Sequence, residues 1–143
     1  MTISFWIYIN QEEGSQTGAS ICFGNNPMGE NNNRKFSLFV SPTVNDLHWS
    51  WMNDAANTTF PTGASVLDDC LSSYKWTHVT VTYNNPNAKI YINGELKHSF
   101  TGVSNSSSFE YDTTIVTASN YFAIQDFRLY NHCLSQKEID AIS

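Results

Sequence analysis

Ile3, Phe5, Ile7 and Ile9 fall on alternate positions of "TISFWIYIN", and no stretch of ten residues in the chain repeats its apolar positions at helical spacing. A period of two turns successive side chains to opposite faces of a sheet, so this segment is a strand with one apolar face. Val79, Val81 and Tyr83 repeat the pattern in "HVTVTY". "ASICFG", "KFSLFV", "DLHWSWM", "AKIYI", "ELKHSF", "TTIVTA" and "NYFAIQDFRLY" read the same way, between loops rich in Asn, Gly, Ser and Pro. About nine strands with no long helix predict an all-β, two-sheet sandwich or barrel.

Local signals sharpen that expectation. Asn93-Gly94 lies between "KIYI" and "ELKHSF", and a two-residue hairpin of this composition needs φ > 0 at both central positions. With "YNNPNAK" as a second turn, residues 76–100 predict a three-stranded meander. Near the end of the chain Ile124, Phe127 and Leu129 look like core positions. The step from 124 to 127 breaks alternation, which predicts a β-bulge near Gln125-Asp126. Ser135-Gln136-Lys137-Glu138 has the form of a capping box, with Leu134 and Ile139 at the staple positions. The last strand is therefore expected to run into a short helical turn whose Leu134, Ile139 and Ile142 pack on the sheet as a terminal clasp.

Charge and composition exclude several classes. The 143 residues carry a net charge of −6, and the seven basic residues are dispersed, which argues against a nucleic-acid surface. No run of apolar residues is long enough to cross a membrane as a helix, and "MTIS" lacks the basic start of an export signal. Cys22, Cys70 and Cys133 show no paired metal-ligand spacing, so buried thiols are the expectation for all three.

Three motifs, in order along the chain, carry a resemblance. "TISFWIYI", then "WTHVTVTY" with "KIYINGELK", then "DFRLYNHCLSQKEI" resemble the corresponding strands and close-out of the laminin G-like domains in the concanavalin A-like lectin/glucanase superfamily. The close-out also looks like that of domains in bacteriophage tail and surface proteins. The resemblance implies one antiparallel jelly-roll domain over residues 1–143, ending in a short C-terminal helical turn. It also implies framework roles in the core for Trp6 and Trp76. Members usually carry one or two strands ahead of the first motif. A free edge is therefore expected along residues 2–10 or beside residues 121–130, covered by another chain or by another part of a longer parent.

Catalysis, binding and a structural role make different demands on these residues. Retaining β-glucan hydrolases of related jelly rolls place two glutamates around an aspartate on one strand. Here Glu110-Tyr111-Asp112 is followed by Ile115 where the second glutamate belongs, so no enzymatic activity is expected. His48, His78, His98 and His132 are dispersed and read as structural or solvent-facing. For carbohydrate, the candidate ligand-binding residues are Trp49 and Trp51 with Asn53 and Asp54, because aromatic faces stack on sugar rings while amides and carboxylates bond hydroxyls. Packing in the sandwich interior competes for the same two tryptophans. Calcium is a frequent ligand of the resembled domains, and Asn53-Asp54 and Asp68-Asp69 are the conceivable ligands. The reading is a non-catalytic carbohydrate-binding or adhesion module, virion-surface or extracellular, with glycans or other chains of a larger assembly as partners and neither nucleic acid nor membrane insertion. The alternative is a structural decoration module with no glycan ligand.

Overall fold

The computed structural model describes residues 1–10, 19–24, 34–41, 46–51, 66–67, 70–84, 86–101, 114–117 and 122–143; strands 19–24, 34–41, 46–51, 66–67 and 114–117 are described by their backbone alone. The alternating segments become β1 (Thr2–Ile9), β2 (Ala19–Gly24), β3 (Arg34–Ser41), β4 (Asp46–Trp51), β5 (Val66–Leu67), β6 (Trp76–Asn84), β7 (Asn87–Ile92), β8 (Glu95–Phe100), β9 (Thr114–Thr117) and β10 (Phe122–Tyr130). α1 (Gln136–Asp140) follows. Two five-stranded sheets form, in the orders β10-β1-β6-β7-β8 and β5-β4-β3-β2-β9, and every strand pair is antiparallel. This is the expected jelly-roll sandwich. β5 adds a strand to the expected set; at two residues it is too short to show alternation.

Ile3, Phe5, Ile7 and Ile9 of β1 join Val79, Val81, Ala88, Ile90, Ile92 and Leu71 in one buried cluster. Full burial of such side chains stabilises by about 1.5–3 kcal/mol each, so the four from β1 contribute on the order of 10 kcal/mol before chain entropy is subtracted. β1 is not the free edge that the family resemblance implied. It pairs with β6 from Thr2↔Thr82 to Tyr8↔Trp76, and with β10 from Thr2↔Tyr130 to Ile9↔Phe122. β10, returning from the far end of the chain, satisfies the outer ladder, and among the described strands β10 and β8 are the edges of this sheet, so the edge lies beside residues 121–130, the other place where it was expected.

The bulge falls where alternation broke. Ser4 stands opposite Arg128 and Trp6 opposite Gln125, so two residues of β10 face Phe5, and Asp126 adopts φ 53°. Phe127 thereby keeps its place over the core, stacked on Phe5 with ring centroids 6.3 Å apart. Leu129 does not join it: expected in the core, it is 48% exposed on the edge strand. Cys133, expected to be buried, is exposed as well; its thiol donates to the Tyr83 carbonyl at 3.0 Å. Cys70 is partly buried, and Cys22 lies in a strand described by backbone only.

The clasp forms as its motif requires. Ser135 and Glu138 close the capping box: the Glu138 carboxylate accepts from the Ser135 backbone N–H at 2.8 Å and from its hydroxyl at 2.7 Å. Leu134 and Ile139 are buried against Tyr91 of β7, with Ile142 and Tyr130 packed beside them. Thr2 pins the approach to the helix, its hydroxyl donating to the His132 carbonyl and accepting from the Leu134 N–H, both at 2.9 Å. The clasp also grips the hairpin turn. Asn93 and Gly94 take φ 49° and 81°, as the two-residue turn requires, and the Gln136 carboxamide donates to the Gly94 carbonyl at 2.7 Å. A Cβ at position 94 would lie 3.1 Å from the Ser143 hydroxyl. Gly94→Ala therefore combines a disfavoured backbone with a tight contact and is expected to cost about 1–2 kcal/mol. A urea midpoint equal to that of the parent protein would show that neither constraint operates.

Candidate functional site

The outer face of the β10-β1-β6-β7-β8 sheet has two halves. Its residues are those of the other parity: Thr2, Ser4, Trp6 and Tyr8 on β1 beside Thr82, Thr80, His78 and Trp76 on β6. At the clasp end Thr2, Ser4, Thr80 and Thr82 are buried although this face is polar. Beyond the reach of the clasp the face turns aromatic. Tyr8 packs on Trp76 with ring centroids 5.4 Å apart and planes at 47°, and in the next row Trp6 packs on His78 at 5.0 Å and 55°. Trp6 and Tyr8 are half-buried, and Trp76 is 43% exposed.

This overturns the framework role in the core expected for Trp6 and Trp76. The inner parity of β1 is filled by Ile3, Phe5, Ile7 and Ile9, so Trp6, between Phe5 and Ile7, must point outward. The signal was present in the sequence: Trp6 and Tyr8 share the parity of Thr2 and Ser4.

β10 supplies a polar border. Opposite Trp6 stands Gln125 and opposite Tyr8 stands Ala123, both exposed. At the bulge Arg128 grips Asp126 with two hydrogen bonds, Nε to Oδ1 at 2.8 Å and Nη2 to Oδ2. The hydrogen bond from Arg128 holds the Asp126 carboxyl below the ordinary carboxylate range and raises the guanidinium in turn, so both stay charged. The pair is exposed, where such contacts add little stability, and it leaves a fixed donor and acceptor array beside the rings. Tyr74, two residues before Trp76, is also exposed and adopts φ 59°, while its N–H donates to the Ile9 carbonyl at 2.8 Å. Left-handed backbone costs a tyrosine about 1–2 kcal/mol.

His78 is the buried member of the group. One ring nitrogen meets the Ser4 hydroxyl at 2.9 Å and the other the Thr80 hydroxyl at 3.5 Å. Its backbone N–H donates to the Asn93 side-chain carbonyl at 2.9 Å, tying the site to the hairpin turn. Burial first, then the charge of Arg128, lowers the His78 pKa from 6.5, while Asp126 acts in the opposite sense. The folded state therefore favours the neutral ring, and the unfolded chain takes up the proton first. The resulting stability is complete above the unfolded pKa near 6.5 and is lost as pH falls through the lowered folded value. Urea midpoints should drop between about pH 7 and about pH 5 by more in the parent protein than in His78→Gln, and equal drops would contradict this assignment.

The other sequence-based candidates are only partly placed. Trp49 and Trp51 lie in β4, opposite Leu38 and Phe36 of β3 in backbone register. Asn53, Asp54, Asp68 and Asp69 lie outside the described residues, as do Glu110, Tyr111 and Asp112, while Ile115 sits in β9. Among the described residues no three His, Cys, Asp or Glu side chains group as metal ligands, and no helix is long and apolar enough to cross a membrane. His98 and His132 are exposed, as expected.

A second feature occupies the clasp end of the same face. Thr82, Asn84, Asn87, Lys89, Tyr91, Cys133 and Leu134 line a cavity of about 270 Å³. Burial, then the neighbouring Cys133, pushes the Tyr91 phenol above its usual value, so it remains a neutral hydroxyl.

Comparison with known proteins agrees with this architecture. A family model described as the concanavalin A-like lectin/glucanases superfamily, laminin G type, matches residues 1–140, and the chain belongs to that family. Similar solved structures include the receptor binding domain of the botulinum neurotoxin C/D mosaic serotype, with TM-score 0.74 and 23% identity over 99% of this chain and 35% of that one. The botulinum neurotoxin serotype D binding domain gives 0.70 and 25% over 99% and 34%, and the type G receptor binding domain 0.71 and 19% over 99% and 36%. The chain thus spans about a third of the length of these structures. No curated protein matches it.

Proposed function

We propose that this chain is a non-catalytic recognition module for surface carbohydrate, and that the aromatic strip Tyr8, Trp76 and Trp6 is its contact surface. The observation that carries the reading is the 43% exposure of Trp76, packed at a tilt on Tyr8 in the same face as the polar border of Gln125, Asp126 and Arg128. Exposed indole and phenol rings meet the apolar C–H face of a pyranose, and amide, carboxylate and guanidinium groups take its hydroxyls. Family membership supports the ligand class, and the similar toxin domains are named as receptor binding domains. Trp49, Trp51, Asn53 and Asp54 form the second proposed contact, with calcium as a bridge at Asn53 and Asp54. An extracellular or virion-surface setting, as in the phage tail and surface proteins that the close-out resembles, fits such a ligand. Hydrolysis is not part of the proposal, because Ile115 stands where the second carboxylate is required; β-glucan turnover abolished by Glu110→Gln would contradict this.

A structural decoration role is the second reading, favoured by the two edge strands β8 and β10 of the described sheet. Edge strands offer unpaired backbone groups to a neighbouring chain. A glycan-array screen with and without calcium separates the two. On the glycan that binds, Trp76→Ala is expected to lose about 1 kcal/mol, roughly fivefold in Kd, with the urea midpoint unchanged. Loss on Trp51→Ala or Asp54→Asn alone, in folded protein, would move the contact to Trp49, Trp51, Asn53 and Asp54, and silence across the array together with concentration-dependent oligomers would favour decoration.

A further inference from the structure

We infer that the cavity beside the clasp is a binding site for a single N-acetylhexosamine, with the acetamido group held between Asn84 and Asn87 and the wall of Tyr91 and Leu134. The inference shares the carbohydrate class with the reading above but stands on different residues at the opposite end of the outer face. At about 270 Å³ the cavity lies just below the usual range for drug-sized ligands, which suits one sugar ring.

The lining specifies the chemistry further. Asn84 and Asn87 face each other in register at the end of the β6–β7 ladder, and Thr82 faces Lys89 one row inward. Each carboxamide offers donors and an acceptor, the complement of an acetamido N–H and C=O. Tyr91 and Leu134 are buried members of the clasp cluster and present apolar surface into the cavity, where an acetamido methyl can lie. A plain hexose has no such methyl and forgoes that apolar contact.

Charge points to a neutral ligand. Lys89 is the one cationic side chain in the lining, it has no ion pair among the described residues, and the chain as a whole carries −6. The positive groups at hand are Lys89 and, behind the lining, the Met1 ammonium, which donates to the Tyr83 carbonyl at 2.9 Å and lies 3.5 Å from the Cys133 Sγ; a polyanion would meet these two against the repulsive long-range field of the chain. Lys89 instead serves as a donor at the rim, for a carbonyl or ring hydroxyl.

Cys133 lines the cavity with an exposed thiol and so reports on its occupancy. The test is the rate of iodoacetamide modification at Cys133, mapped by peptide mass, with N-acetylglucosamine, N-acetylgalactosamine, glucose and glucuronate added at up to tens of millimolar. One or both N-acetylhexosamines should slow modification at least threefold while glucose does not. Asn87→Ala should weaken protection about tenfold and Trp76→Ala should leave it unchanged, so the cavity can fail while the strip stands, or the reverse. If Asn87→Ala does not fold, Asn84→Ala takes its place. Absence of protection, equal protection by glucose, stronger protection by glucuronate, or protection indifferent to the asparagine variants would each overturn the inference.

Discussion

The structure depends on β1 being satisfied on every side. Its backbone is paired to β6 and β10, its even-spaced isoleucines and Phe5 fill the core, and its other face carries Thr2, Ser4, Trp6 and Tyr8. An unpaired apolar strand would invite association with other chains. Here the last strand of the chain closes that ladder, so the two ends of the sequence are locked together by hydrogen bonds in the middle of a sheet. The contact joins residues more than a hundred positions apart, and such pairing carries a large loop-closure cost that the buried cluster must offset.

Once the inner face is filled with aliphatic side chains, the outer face is left with what remains, and its two halves meet different fates. Over the clasp end the threonines are covered, and Thr2 trades its exposure for two hydrogen bonds to the segment that leads into α1. The clasp is too short to cover the rest: five helical residues span about 7.5 Å, which is little more than two residues along a strand. Trp6, Tyr8 and Trp76 are therefore left facing outward, with Trp6 packed against His78 and Tyr8 against Trp76. The same bulge that keeps Phe127 on the core turns Asp126 into left-handed backbone, so core packing and the polar border of the strip share one local cause.

Much of this was legible in the sequence because the signals were local. Alternation identified the inner face of β1 and β6, Asn93-Gly94 identified the turn, the broken step from Ile124 to Phe127 identified the bulge, and Ser135 with Glu138 identified the clasp. Each of these features is set by residues within a few positions of one another. The candidate site was less legible. Trp6 and Trp76 were assigned to the core on a family resemblance, although their parity put them on the other face; a tryptophan reads as buried when its alternation is not checked against its neighbours. Leu129 has core parity, but on an edge strand such a residue can remain uncovered, and the resemblance left the edge open between residues 2–10 and 121–130. The free edge expected along residues 2–10 failed for the complementary reason, since only tertiary pairing shows that β10 returns beside β1. The cavity was not legible at all: Asn84, Lys89, Tyr91 and Cys133 belong to three separate elements that the fold brings together.

On the proposed reading, carbohydrate is held by the uncovered aromatic half of the outer face. The chain has four tryptophans, two in the strip and two in β4, so their indole N–H resonances provide four separable reporters. The most direct measurement is a ¹⁵N-resolved titration of those resonances with a glycan that binds. Saturable shifts of Trp76 and Trp6 should exceed those of Trp49 and Trp51. Saturable binding that moves only the β4 pair, or leaves all four unmoved, would contradict that reading.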